Sequence, residues 1–139
     1  MRDFATYHVG LKILLEKDGK ILFLKTDSGK WDFPGGRIDD VETTAPLADI
    51  LAREIAEELG QDLKYRLGKP VVHFRRYYSK IEQNIFLVVF EAEYVSGEVV
   101  ISDEHESYEW INSKTVEFKK EDFMSEEEFE ALVEYFKGK

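Results

Sequence analysis

PLADILAREIAEELG, residues 46–60, has the period of an amphipathic helix. Leu47, Leu51, Ile55 and Leu59 recur on one stripe, with Ala48 and Ala52 beside them. Pro46 suits a first turn and Gly60 the residue just past the last. Glu54, Glu57 and Glu58 stand three and four apart, on one side of the same helix, where like charges repel by about a few tenths of a kcal/mol per pair. Glu54 and Glu57 border the apolar stripe, whereas Glu58 falls within its edge. The plain alternative is a solvated acidic face, which belongs opposite the core. Glu126, Glu127, Glu130 and Glu134 further along the chain fit that description. Glu58 does not, because a carboxylate turned toward the core is costly unless something cationic meets it.

Working outward, the chain organises as one domain over residues 1–139, without repeat or linker. HVGLKILLEKDGKILFLKT reads as two strands joined at Asp18-Gly19, a strong hairpin signal. In WDFPGGRID, Pro34-Gly35-Gly36 is expected to break any regular element. Strands are expected at 69–78, 85–94 and 108–111. A last helix should start at Ser125-Glu126-Glu127-Glu128, which has the form of a capping box, and bury Phe129, Leu132, Val133 and Phe136. Strands outnumber helices, so the class is α+β.

Composition narrows the partners. A length of 139 residues and 43% hydrophobic content suit one globular core. A net charge of -10 repels nucleic acid and anionic membranes, so neither is an expected partner. The absence of cysteine excludes disulfides, thiolate–zinc sites and thiol nucleophiles. The start, MRDFATYHVG, has no apolar leader and no run reaches membrane-spanning length, so the expectation is a soluble cytoplasmic protein. A homodimer is left open.

GGRIDDVE at residues 35–42 followed by REIAEELG at residues 53–60 resembles the signature of the Nudix hydrolases. The matching positions are Gly36, Glu42, Arg53, Glu54, Ile55, Glu57, Glu58 and Gly60, and WDFPGG looks like the usual lead-in. Two departures stand out. Ten residues separate Glu42 from Arg53 where the family has seven, which puts the role of Glu42 in doubt, and Gln61 replaces an apolar residue. The resemblance implies an α/β/α sandwich with a mixed central sheet and a loop–helix–loop motif. It implies hydrolysis of a phosphoanhydride bond in a nucleoside diphosphate linked to another moiety, with divalent metal. Oxygen-only ligands favour Mg²⁺ or Mn²⁺. By the same resemblance Glu54, Glu57 and Glu58, with the Gly36 carbonyl, would carry the metal and Arg53 would orient the carboxylates.

The general base is open between a box glutamate, Glu54 or Glu57, and a later loop. SDEHESYEW, residues 102–110, offers Glu104 first and Glu106 second, while His105 reads as a structural hydrogen-bonding residue. An acidic loop on an acidic protein is equally the bland reading. For a small-molecule nucleotide substrate, Arg37, Arg75, Arg76 and Lys80 are candidate phosphate contacts and Trp31, Phe74, Tyr77 and Tyr78 candidate stacking residues, although half or more of these are expected to be ordinary strand residues. The two tyrosines fall where some members that cleave dinucleoside polyphosphates carry one, and the lead-in is reminiscent of members acting on nucleoside triphosphates. Two rivals remain. A nucleotide-sensing domain of this fold would dispense with catalysis, but such domains commonly lose box glutamates. An isopentenyl diphosphate isomerase type resembles a cysteine-dependent mechanism, and this chain has no cysteine.

Overall fold

The computed structural model describes residues 2–139. Seven strands and two helices follow one another as β1 (Tyr7–Lys17), β2 (Lys20–Lys25), β3 (Trp31–Asp32), β4 (Gly35–Arg37), α1 (Leu47–Leu59), β5 (Lys64–Tyr78), β6 (Gln83–Ser96), β7 (Ser107–Ile111) and α2 (Glu126–Lys137). They form one sheet in the order β3-β2-β1-β6-β5, with β4 paired to β1 and β7 to β2. The β1–β6 pairing is parallel and the others are antiparallel, so the sheet is mixed.

Strands β1 and β2 are buried on both faces over most of their length, which is why they read as continuous apolar runs rather than alternating ones. Leu11, Ile13 and Leu15 of β1 with Leu22 and Leu24 of β2 pack under α1, against Ile50, Leu51, Ile55 and Leu59. Leu14, Ile21 and Phe23 turn the other way, toward Leu132 and Phe136 of α2. Two apolar layers on one sheet give the α/β/α sandwich. Among the described residues no helix is long and apolar enough to cross a membrane.

The Asp-Gly hairpin forms as expected, with Asp18 and Gly19 at φ of 52° and 79°, the primed geometry that matches strand twist. Helix α1 ends at Leu59 with Gly60 beyond it, but Pro46 caps the helix rather than entering it. Its buried stripe is rotated from the expected one: Leu47 is exposed and Ile50 takes its place. The expected break at Pro34-Gly35-Gly36 is corrected by the structure. Gly35–Arg37 forms β4, in register with Gly10–Lys12 of β1. Local propensity opposes a strand there, but the close approach of two backbones decides it. A Cβ on Gly35, which sits at φ +140°, would lie 1.9 Å from the Leu11 carbonyl oxygen.

Candidate functional site

Helix α1 and strand β4 meet at two glycines. The Gly35 N–H donates to Glu58 Oε1 at 2.8 Å. A Cβ on Gly36 would stand 2.2 Å from a carboxylate oxygen of Glu54, so only a bare backbone admits that side chain. The glycines therefore seat two of the three helical carboxylates. Glu58 is 5% exposed. Burial pushes its carboxyl up to about 7, against the opposing pull of Lys12 and the Gly35 N–H. Burial also raises the Glu54 carboxyl, with Arg53 countering it. Glu57 is exposed.

Arg53 ties the set together. Its Nε and Nη2 donate to the two oxygens of Glu42 at 2.7 and 2.6 Å. Nη2 also lies 2.9 Å from Glu54, and Nη1 donates to Glu57 at 3.2 Å. The lengthened segment between Glu42 and Arg53 therefore leaves Glu42 a definite job as the anchor of Arg53. A short 3-10 turn over Asp40–Glu42 presents it, capped by Asp39, whose own N–H donates to Glu42 Oε1 at 3.0 Å.

The later loop is delivered by the end of the same helix. The last turn of a helix leaves carbonyls without intrahelical partners. Here the Leu59 carbonyl accepts from Val100 N–H at 2.9 Å and the Glu58 carbonyl from Ser102 N–H at 3.0 Å. This pins the loop so that Glu104 and His105 come against Glu58. One ligand atom from each of the three lies within 4.8 Å of the others, a grouping that could hold a metal ion. Glu104 and Glu106 are both exposed, and Glu104 is the one in the group.

Beneath the site lies a buried ionic network that the sequence reading missed. Asp32 faces Lys12 Nζ at 3.4 Å and Arg76 Nη2 at 3.0 Å, and its Oδ2 stands 3.1 Å from His105 Nε2. Burial alone would raise the Asp32 carboxyl, but Lys12, Arg76 and the hydrogen bonds from His105 and the Phe33 N–H hold it well below the usual carboxylate range. Arg76 donates in turn to both oxygens of Glu128, at 3.0 and 2.6 Å, and Glu128 is fully buried. Lys12 interrupts the apolar run Leu11–Leu15, and that interruption was the signal available in the sequence. A lone lysine inside a two-sided strand requires a buried acid.

The candidate substrate residues do not gather in one place: Arg76 is taken up by the buried ionic network and Phe74 lies in the core, so neither is free to meet a substrate. The Arg37 guanidinium carbon lies 5.7 Å from the centre of the Tyr78 ring, and Arg37 Nη1 is 3.2 Å from His8 Nδ1. Tyr77 is exposed. Arg75 is engaged elsewhere: its Nη2 meets Glu127 of α2 at 2.7 Å and its N–H donates to the same carboxylate.

The sequence model described as NUDIX domain matches residues 6–132. No curated protein sequence matches the chain. Among solved structures, the chain is similar to a MutT protein from Methanosarcina mazei Go1, at 23% identity and a TM-score of 0.71, covering 96% of this chain and 93% of that one. A dihydroneopterin triphosphate pyrophosphohydrolase from E. coli aligns at 15% identity and a TM-score of 0.65, over 96% and 99% of the two chains. A UDP-X diphosphatase aligns at 18% identity and a TM-score of 0.68, over 99% of this chain and 66% of that chain. At these identities the likeness is one of fold.

Proposed function

The chain belongs to the NUDIX family of hydrolases, and on that premise we propose that its single domain cleaves a phosphoanhydride bond in a nucleoside diphosphate linked to another moiety, with divalent metal. The supporting observation is the buried Glu58, which points from a helix into the fold to accept from the Gly35 N–H, next to the Gly36 that seats Glu54, with its carboxyl pushed up to about 7. Lys12 and the Gly35 N–H only partly offset the cost of this burial, and a bound cation would relieve the remainder.

The donor set fits a hard divalent ion, Mg²⁺ or Mn²⁺, because carboxylate and carbonyl oxygens dominate it and thiolates are absent. Glu54, Glu57 and Glu58, with the Gly36 carbonyl, would hold it. When bound, the ion supplies positive charge that neutralises the pyrophosphate and acidifies the attacking water. The remaining work falls to side chains. Arg53, fixed by Glu42, holds Glu54 and Glu57 in place. Glu104, exposed and beside Glu58, takes the proton of the attacking water. Arg37 and Tyr78, which lie together, meet the phosphates and the base, whereas Tyr77, the next residue on the strand, faces the other way and Arg75 is already occupied by Glu127.

The substrate reading is a nucleoside triphosphate or dinucleoside polyphosphate. The test is a panel of nucleoside triphosphates, dinucleoside polyphosphates and nucleotide sugars incubated with Mg²⁺, with products identified by mass. Turnover of one class to two phosphate-bearing products is expected. Tight binding across the panel without any product would instead make this a sensing domain.

A further inference from the structure

His105 is used on one side only. Its side chain is 5% exposed, and Nε2 stands 3.1 Å from Asp32 Oδ2. Nδ1 is buried with no hydrogen-bond partner, and among the described residues it is the one buried side-chain polar atom so left. The large majority of buried side-chain polar atoms have a hydrogen-bond partner, so this orphaned nitrogen calls for one, and an ion is among the groups that supply it. The ring stands against two carboxylates, with one oxygen of Glu58, one of Glu104 and one ring nitrogen within 4.8 Å of each other. Metal-binding histidines characteristically give one ring N–H to a carboxylate while the other nitrogen ligates, which fixes tautomer and ring orientation. With Nε2–H donated to Asp32, the lone pair sits on Nδ1.

We propose that His105 is a metal ligand. Its Nδ1, together with Glu58 and Glu104, forms a mixed nitrogen–oxygen site in which Asp32 orients the imidazole. Glu104 would serve both the ion and the proton of the attacking water. An imidazole nitrogen favours first-row transition ions over Mg²⁺. The site is therefore selective for Mn²⁺ and its heavier neighbours over Mg²⁺, which an all-oxygen set would not be. The assignment rests on the hydrolase reading for the roles of Glu58 and Glu104, and on the orphaned Nδ1 for its own.

The test is pulsed electron paramagnetic resonance of Mn²⁺ bound to the wild-type protein, titrated to saturation. A directly bonded nitrogen should appear in the spectrum and vanish in His105→Gln, whose amide nitrogen can keep the contact to Asp32. Mn²⁺ should bind that variant at least about tenfold more weakly, while Mg²⁺ affinity, measured by competition, should change far less. Wild-type Mn²⁺ without a nitrogen signal, or equal losses of both ions in the variant, would overturn the proposal. Mg²⁺-dependent turnover alongside an oxygen-only Mn²⁺ spectrum would remove this ligand and leave the hydrolase reading standing. A protein that binds neither ion would overturn both.

Discussion

Glu58 carries its charge at a cost that varies with pH. Its folded pKa, about 7, lies above the ordinary 4.5, so the folded state holds a proton that the unfolded chain has already released. Stability without metal must then fall as pH rises from about 4.5 to 7, by roughly 3 kcal/mol for this group alone. His105, whose pKa is also raised, acts in the same direction: burial opposes its charge, but Asp32 outweighs that, and the benefit fades as pH climbs through its folded pKa. Melting in chelator should therefore be higher at pH 5 than at pH 7.5, and Glu58→Gln should flatten the slope. An unchanged slope in that variant would mean that Glu58 is not the group responsible. Glu104→Gln, nearly isosteric and exposed, should leave melting alone and lower kcat by about two to four powers of ten. An unchanged kcat would move its role to Glu106 or the box. At this scale the sequence was informative wherever a residue broke its own local pattern. Glu58 inside an apolar stripe was such a break and was read as one, whereas Lys12 inside an apolar strand was an equal break that went unread. The partners of these charges were not legible: Asp32 meets Arg76 across 44 residues and His105 across 73, and no periodicity encodes such a pairing.

Elements were legible when their ends carried a local chemical reason. Asp18-Gly19 and Gly60 mark a turn and a helix end that need unusual backbone angles, and both occur where expected. The start of α2 shows the limit. Ser125 caps it through the Glu128 N–H at 3.1 Å, but the Glu128 side chain does not reach back to complete the box. It turns inward to Arg76 instead. Likewise β4 was invisible because its glycines argue locally against a strand, and only the neighbouring β1 backbone makes them necessary. The Glu128–Arg76 pair has a measurable consequence for the element. Glu128→Gln leaves a buried guanidinium short of its counter-charge, and breaking such a pair costs about 3–5 kcal/mol. The melting temperature should fall by roughly 10 °C. A fall under a degree would mean that Asp32 alone satisfies Arg76.

Across the whole molecule, an acidic chain brings Glu54, Glu58 and Glu104 to the place where α1, β4 and the loop before β7 converge. A ligand that binds only this folded arrangement stabilises it by RT ln(1 + [L]/Kd), about 2.7 kcal/mol at a hundredfold excess. Mg²⁺ should raise the melting temperature by several degrees where NaCl at matched ionic strength does not, because salt screens exposed charges and leaves a buried one largely untouched. Glu58→Gln should melt higher than wild type in chelator and lose most of the Mg²⁺ increment. Equal shifts from both salts would mean an ordinary acidic surface. The central claim, that this cluster drives water onto phosphorus with a divalent cation, is tested most directly by turnover in heavy-oxygen water. With Mg²⁺ the label should appear in one phosphate-bearing product, and in excess chelator both label and turnover should disappear. Full activity in chelator, or product formed without the label on phosphate, would contradict it.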